Sequence, residues 1–233
     1  MQEIKPILLM DLDNTLLDFN QQEAAAMEKM LSERGEELTP ERLSLFRAIN
    51  AQHWEWLEEG RITRQQTLVG RFEVFFSKLD LPLDAQSAED SYAKHLCEGY
   101  YFVPGAQELL EKLKDNYRLF IISNGSADIQ AARLKSSGIG RYFEGIFISE
   151  QLGATKPAKE FFDLCLARIP GFDARNSLVV GDSLTSDIRG GINAGLKTCW
   201  FNPENKPPRE DIRPDYTIST LDGLCTLLDK IFL

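Results

Sequence analysis

Five short apolar runs along the chain predict strands that are buried on both faces. Continuous runs of this kind, separated by helical stretches, are typical of a parallel sheet covered by helices. Apolar residues at helical spacing, such as Leu109, Leu110 and Leu113, lie between the runs. The pattern therefore predicts an α/β fold with a Rossmann-like parallel sheet. The five runs are Ile7–Met10, Leu119–Ile122, Gly145–Ile148, Leu178–Val180 and Thr198–Phe201.

A different pattern occupies residues 19–102, where no strand signal appears. Phe72, Phe75 and Phe76 have the spacing of one helix face, and similar spacing recurs through this segment. Because the segment falls between the first two strands, it predicts a helical cap domain inserted into the core. The predicted core is 1–18 together with 103–233.

Composition excludes several classes of protein. The 233 residues carry a net charge of −10, so a nucleic acid polymer is not an expected partner. No run approaches the 18 apolar residues of a membrane helix, and the apolar run near residue 10 is too short for a signal peptide. The four cysteines form no C-x-x-C pair, which predicts reduced thiols in a cytoplasmic protein.

Polar residues follow the predicted strands at the edge where parallel sheets bind ligands. Carboxylates that converge there repel one another unless a cation lies among them, and oxygen ligands favour Mg²⁺. Each residue alone also fits a turn or a helix cap, but independent turns need not all fall at strand ends. The residues are Asp11, Asp13, Ser123, Asn124, Lys156, Asp182 and Asp187.

These residue types suit the transfer of a phosphoryl group. Asp11 is a possible nucleophile, and Asp13 could protonate the leaving oxygen and then activate water. Mg²⁺ and Lys156 would offset the repulsion between a carboxylate and a phosphate dianion. Ser123 and nearby backbone N–H groups could hold the remaining phosphate oxygens.

Four segments, in order, resemble the motifs of the haloacid dehalogenase superfamily. They are Asp11-Leu12-Asp13-Asn14-Thr15, Ser123-Asn124, Lys156-Pro157 and Gly181-Asp182-Ser183-Leu184-Thr185-Ser186-Asp187. The resemblance runs from about residue 5 to the end of the chain. Dehalogenases of the superfamily lack an acid at the position of Asp13, so its presence here favours phosphate chemistry.

The resemblance implies a role for each residue of the set. Asp11 would be the nucleophile and Asp13 the general acid and base. Mg²⁺ would be bound by the Asp11 carboxylate, the Asp13 main-chain carbonyl and Asp182, with Asp187 an acid at or beside the metal.

The remaining motif residues and the inserted segment also have counterparts in the superfamily. Ser123, Asn124 and Lys156 would hold the phosphoryl group of a small-molecule phosphomonoester. The insert would be a mobile cap of the C1 type.

A narrower likeness is to the noncanonical pyrimidine nucleotidases, which remove the 5′-phosphate from nucleoside monophosphates. A sugar-phosphate or phosphoglycolate phosphatase and a catalytically silent binding protein are the alternatives, and the intact acid set disfavours the silent protein. His53, Trp54, Trp56, Tyr100 and Tyr101 could stack on a base or belong to the cap core. The likeness rests on Gly60-Arg61-Ile62-Thr63, Gly70-Arg71-Phe72, Gln130 with Arg133-Leu134, Ser149-Glu150 and Trp200-Phe201-Asn202-Pro203.

Overall fold

The computed structural model describes residues 5–232, and in this range the backbone divides into two compact units. One unit comprises the chain up to Asp18 together with the chain from Tyr101 onwards, and the other is Phe19–Tyr100. The predicted second boundary lies at residue 102. Residues 1–4 and 233, which the predicted core includes, lie outside the described residues.

The first unit is built on a parallel sheet, which confirms the predicted α/β fold. Within the described residues the sheet has six strands in the order β3-β2-β1-β4-β5-β6, and every neighbouring pair is parallel. The strands are β1 Ile7–Met10, β2 Arg118–Ser123, β3 Gly145–Ile148, β4 Ser177–Gly181, β5 Lys197–Phe201 and β6 Tyr216–Ile218.

Ten α-helices complete the described part of the chain. Four of them form the second unit, and the other six connect strands of the sheet or follow it. They are α1 Phe19–Ser32, α2 Pro40–Glu58, α3 Arg64–Lys78, α4 Ala85–Cys97, α5 Ala106–Leu113, α6 Ala127–Ser137, α7 Ser149–Leu152, α8 Lys159–Leu166, α9 Arg189–Asn193 and α10 Leu221–Phe232.

The sheet is stabilised by apolar contacts on its faces. Every residue of β1 and β4 is buried, as continuous apolar runs require. On one face, Phe161 and Phe162 of α8 lie in a cluster with Leu9, Phe120 and Val179. The parallel pairing of β1 with β4, in which Leu9 lies opposite Val179, fixes the stagger of the two strands and therefore the position of the residues that follow them.

The second unit is helical throughout its regular elements. Helices α2, α3 and α4 begin at side-chain caps: Thr39 accepts from the backbone of α2, Asp84 from that of α4, and Thr63 forms a capping box with Gln66. The Gly60–Thr63 segment of the narrower likeness thus ends at the cap of α3. Buried aromatic rings, among them Phe46 and Phe72 at 5.1 Å between centroids, fill the interior.

Backbone hydrogen bonds join the two places where the chain leaves and re-enters the first unit. The N–H of Asp18 donates to the carbonyl of Tyr101 at 2.9 Å, and that of Val103 donates to the carbonyl of Leu16 at 3.1 Å. The outgoing and returning segments are therefore held side by side.

Two smaller expectations bear on the described residues. Among them, no helix combines the length and apolar character needed to cross a membrane. The four cysteines are free thiols, with Cys165 and Cys199 buried and Cys97 and Cys225 partly exposed.

Candidate active site

The candidate site lies where the connections of the sheet reverse direction. β1 is flanked by β2 on one side and by β4 on the other, which makes it the topological switch point at which such sheets bind ligands. The N–H of Asp11 continues the β1–β4 pairing by donating to the Val180 carbonyl at 2.9 Å. Asp11 and Asp182 therefore follow neighbouring strands at the same edge.

Three carboxylates meet at this edge. Oxygen atoms of Asp11, Asp182 and Asp187 lie within 4.8 Å of one another, and Asp11 and Asp187 are buried. Gly181 makes room for this arrangement, because a Cβ atom at its position would lie 2.2 Å from Asp187 Oδ2. In the Gly181-Asp182 pair, the glycine therefore has a steric role, because it leaves room for Asp187, and Asp182 supplies one of the three carboxylates.

Lys156 supplies a positive charge inside the cluster. Its Nζ atom donates to Asp11 Oδ1 at 2.7 Å, to Asp187 Oδ1 at 2.6 Å and to the carbonyl of Ile122 at 2.9 Å. The side chain is almost completely buried. Because an unpaired buried ammonium is costly, Lys156 depends on its hydrogen bonds to Asp11 and Asp187.

The cluster carries more negative charge than one lysine offsets. Burial raises the pKa of Asp11 to about 7, with Asp187 and Asp13 adding to the effect and Lys156 opposing it. Burial likewise raises the pKa of Asp182 well above its usual value, reinforced by Asp11 and Asp187. For Lys156, burial lowers the pKa, but the adjacent carboxylates of Asp11 and Asp187 outweigh it and leave the pKa raised.

The donor set fits a hard divalent cation. All three clustered side chains offer oxygen ligands. Burial raises the pKa values of Asp11 and Asp182, and a cation bound between them would counter that effect. The Asp13 side chain is not part of the cluster, so any contribution of Asp13 to a metal would come from its main chain. Asp187 is already engaged by Lys156 and, through Oδ2, by the N–H of Ser183 at 3.1 Å.

The carboxylate of Asp13 has its own partners, both from α6. Gln130 Nε2 donates to Asp13 Oδ2 at 2.5 Å, and Arg133 donates to Asp13 Oδ1. Gln130 also donates to Ser123 Oγ at 2.9 Å, and the N–H of Gly125 donates to the same oxygen at 3.0 Å. Residue-by-residue reasoning from the sequence gave Gln130 and Arg133 no role, although their i, i+3 spacing just after Ser123 placed them on one helix face.

Asn124 holds the loop that carries Lys156. Its side chain donates to the Lys156 carbonyl and accepts from the Lys156 N–H, both at 2.9 Å, and it reaches Ser186 Oγ at 3.3 Å. These contacts fix the backbone from which Lys156 extends. The expectation that Asn124 holds a phosphoryl group stays a prediction.

The aromatic residues of the helical unit have mixed environments. His53 is buried and donates from Nδ1 to the Ile49 carbonyl at 2.8 Å, with its ring 5.1 Å from that of Trp56. Trp54 packs beneath the Arg64 guanidinium. His53 and Trp56 also line a cleft of about 410 Å³ together with Ile62, Gln65, Gln66, Val69, Gly70 and Glu73.

A switch-point carboxylate cluster on a parallel sheet, interrupted by a helical insertion after its first strand, defines a class of Rossmann-like enzymes. The chain belongs to the haloacid dehalogenase-like hydrolase family, whose model matches residues 8–201. The predicted superfamily and the prediction of a hydrolase are thereby confirmed.

Relatives cover almost the whole chain. The HAD-hydrolase YfnB of Bacillus subtilis (strain 168) is 38% identical over 95% of this chain and 94% of its own. The pyrimidine 5′-nucleotidase PynA of Streptococcus pneumoniae (strain ATCC BAA-255 / R6) is 36% identical, with coverages of 97% and 96%. The pyrimidine 5′-nucleotidase YjjG of Escherichia coli (strain K12) is 34% identical, with coverages of 96% and 97%.

A solved structure of YfnB is also similar. That crystal structure, of YfnB bound to magnesium, reveals interdomain movement in that protein. It superposes with a TM-score of 0.93 at 37% identity and covers 97% of this chain and 100% of YfnB.

Proposed function

We propose that the protein is a Mg²⁺-dependent phosphomonoesterase that works through an aspartyl phosphate on Asp11. The observation that carries this proposal is the placement of Asp11. Its carboxylate is buried at the switch point, 2.7 Å from the Lys156 ammonium and within 4.8 Å of Asp182 and Asp187. A carboxylate can attack a phosphate dianion only where cations offset the repulsion between them, and Lys156 supplies one such charge beside Asp11.

The chain's own residues account for both chemical steps. In the first, an Asp11 oxygen bonds to phosphorus, the bond to the leaving oxygen breaks, and Asp13 gives that oxygen a proton. In the second, water attacks phosphorus, Asp13 takes its proton, and the bond from Asp11 to phosphorus breaks. Lys156 offsets charge throughout, and Ser123 can donate its hydroxyl hydrogen to a phosphoryl oxygen, because both its other contacts are donors.

Asp11 and Asp182, with the main-chain carbonyl of Asp13, are the residues that would hold Mg²⁺. The bound ion would supply Lewis-acid stabilisation of the phosphoryl oxygens. Asp187 keeps Lys156 in place beside the cluster, since it accepts one of the ammonium's hydrogen bonds at 2.6 Å.

We infer that the substrates are pyrimidine nucleoside monophosphates. Support comes from PynA and YjjG, two pyrimidine 5′-nucleotidases that align over at least 96% of this chain. The residues at the strand ends would bind the metal and the phosphoryl group, and the phosphoryl group is the same in every phosphomonoester. Selectivity for the base therefore belongs to the helical unit, where hydrogen-bonding groups can reject a mismatched base by leaving polar atoms unpaired.

A kinetic panel tests both levels of the proposal. Phosphate release would be measured with Mg²⁺ and with EDTA for UMP, dUMP, TMP, AMP, GMP, a hexose phosphate and phosphoglycolate. We expect kcat/KM for the pyrimidine nucleotides to exceed the others by at least about tenfold, roughly 1.4 kcal/mol. A hexose phosphate or phosphoglycolate as best substrate would overturn the nucleotidase inference alone. Hydrolysis of none, or full activity in EDTA, would overturn the phosphatase proposal.

A further inference from the structure

Two side chains of α6 bind the carboxylate that the proposed mechanism uses as acid and base. Arg133 donates to Asp13 Oδ1 and also to Gln130 Oε1, the latter at 2.9 Å, while Gln130 Nε2 donates to Asp13 Oδ2 at 2.5 Å. Gln130 is 1% exposed and Arg133 is 0% exposed. Both oxygens of the half-buried Asp13 carboxylate are therefore engaged by groups whose own positions are fixed by packing.

We propose that Gln130 is a positioning residue that couples the binding of a phosphoryl group at Ser123 to the orientation of Asp13, with Arg133 as its anchor. This inference rests on the proposed phosphatase function and assigns work to residues outside the strand-end motifs. Gln130 is suited to the task because its Nε2 atom contacts both partners, Asp13 Oδ2 and Ser123 Oγ at 2.9 Å.

Charge fixes which way round the Gln130 amide lies. Its oxygen must face the Arg133 guanidinium, which is a pure donor, so its NH₂ group faces the oxygens of Asp13 and Ser123. One of the two amide hydrogens is then directed at Asp13 and the other at Ser123. The flipped amide would place its NH₂ group against the Arg133 guanidinium, so that two donors would face each other.

The shared amide makes the two contacts interdependent. When Ser123 donates its hydroxyl hydrogen to a phosphoryl oxygen, its oxygen becomes a stronger acceptor, because hydrogen bonds in a chain polarise one another. Gln130 is then drawn towards Ser123, and its hold on Asp13 Oδ2 weakens. Arg133 keeps Asp13 Oδ1 in place meanwhile, so Oδ2 is the oxygen from which the proton of Asp13 passes to the leaving oxygen.

A second observation shows that the fold makes room for this side chain. A Cβ atom on Gly125 would lie 2.2 Å from Gln130 Nε2 and 2.8 Å from Gln130 Cδ. Gly125 directly follows Ser123 and Asn124, so the turn after β2 is built to let the Gln130 amide reach both Ser123 and Asp13. The substitution Gly125→Ala displaces the amide without removing any of the polar groups.

The test compares two esters that differ in their need for a proton. The leaving group of an alkyl ester such as UMP needs protonation, whereas p-nitrophenolate leaves without it, and kcat/KM reports the first phosphoryl transfer for both. For Gln130→Met and Arg133→Met, with Mg²⁺ present, we expect kcat/KM to fall at least about tenfold more for UMP than for p-nitrophenyl phosphate. Lys135→Met removes a charge from the exposed face of α6 and should leave the ratio of the two esters at its wild-type value.

The outcomes separate this proposal from a purely structural role. Equal losses for the two esters would overturn it, since a damaged fold or a weakened phosphate site affects both alike. If Gln130→Met fails to fold by circular dichroism, Gly125→Ala decides: a selective loss for UMP supports the coupling, and an equal loss overturns it. Failure of the proposed function is distinct, because the wild-type protein would then hydrolyse neither ester.

Discussion

The carboxylate of Asp11 and the ammonium of Lys156 form the central pair of the site. Both groups are buried, and Lys156 is shared with Asp187. An amide at position 11 would keep the size of the side chain and could still accept from Lys156. It could not form the proposed aspartyl phosphate, so a substitution there separates the effect on chemistry from the effect on folding.

We predict that Asp11→Asn keeps the fold and lowers kcat at least about a thousandfold, roughly 4 kcal/mol of transition-state stabilisation. Phosphate release from UMP and the thermal melt would be measured on the same preparation. Intact-mass analysis after acid quench should detect a covalently phosphorylated species in the wild type alone. A folded Asp11→Asn protein with wild-type kcat would contradict the covalent route.

A substitution at Gly181 tests whether the acid cluster depends on the absence of a Cβ atom at this position. Gly181→Ala places a methyl group 2.2 Å from Asp187 Oδ2 and 2.6 Å from its Cβ, so the buried Asp187 must move. We expect a loss of about 1–3 kcal/mol in the free energy of unfolding, measured in urea, together with reduced activity. Gly140→Ala is the control, because its nearest neighbours lie at 3.8 and 3.9 Å. Similar losses at both positions would argue against the steric account.

The site residues differ in how far the sequence could reveal them. Asp11, Asp182 and Lys156 were found because they follow apolar runs, and parallel pairing brings the ends of such runs together. The contacts of Gln130 with Asp13 depend on the angle at which α6 leaves β2, which apolar spacing does not encode. The direction of the Asn124 amide, towards the Lys156 backbone, depended on loop geometry in the same way.

At the level of elements, the helical unit is organised around one buried arginine. Arg71 of α3 donates to Asn50 Oδ1 of α2 at 2.8 Å and to Glu89 Oε2 of α4 at 2.7 Å. It also lies over the rings of Phe46 and Tyr92. Burial raises the pKa of Glu89, against the opposing effect of Arg71, so the acid depends on this partner to remain ionised.

Removing that arginine should be costly. For Arg71→Met we expect the free energy of unfolding to fall by about 3–5 kcal/mol, because Glu89 is left as an uncompensated buried acid. Arg61→Met is the matched control, since Arg61 and its partner Glu59 are both exposed, and it should change stability by less than about 1 kcal/mol. Urea unfolding of the two variants side by side would reject this account if their losses were equal.

Strands with continuous apolar sequence were predicted, and the short strand β6 was missed. The expectation that all five predicted strands are buried on both faces is wrong for β3, in which Ile146 is exposed. Four residues of continuous apolar sequence sufficed for β1 and β3, whose predicted bounds are those observed. β6, at the edge of the sheet, has three residues, of which the middle one, Thr217, is exposed. With Thr217 between Tyr216 and Ile218, the strand has no continuous apolar run and is too short to show an alternation that predicts a strand.

At the level of the whole molecule, the buried acid cluster makes stability depend on pH and, under the proposed function, on Mg²⁺. The folded-state pKa of Asp11, raised by burial to about 7, exceeds its unfolded value of 3.8, so the native state retains a proton that the unfolded chain releases. Stability of the metal-free protein should therefore be lost as pH rises from about 4 to about 7. Asp182, whose pKa is also raised by burial, contributes in the same direction.

We predict that Mg²⁺ raises Tm more at pH 8 than at pH 5.5, since the ion must displace protons from the cluster at the lower pH. Melting curves in Mg²⁺ and in EDTA at the two pH values would measure this. Asp182→Asn should reduce the Mg²⁺-dependent increase in Tm at both. An increase of equal size at pH 5.5 and pH 8 would show that the raised pKa values do not belong to the metal site.

The paired backbone at Leu16–Asp18 and Tyr101–Val103 has a consequence for how the chain can change. Hydrogen bonds hold the outgoing and returning segments side by side. For the sheet, the 82 residues of Phe19–Tyr100 are therefore equivalent to a loop whose two ends are fixed next to each other. The entropy of closing a loop rises only with the logarithm of its length. An insert of different size or fold could therefore be exchanged at this junction while the sheet stays unchanged.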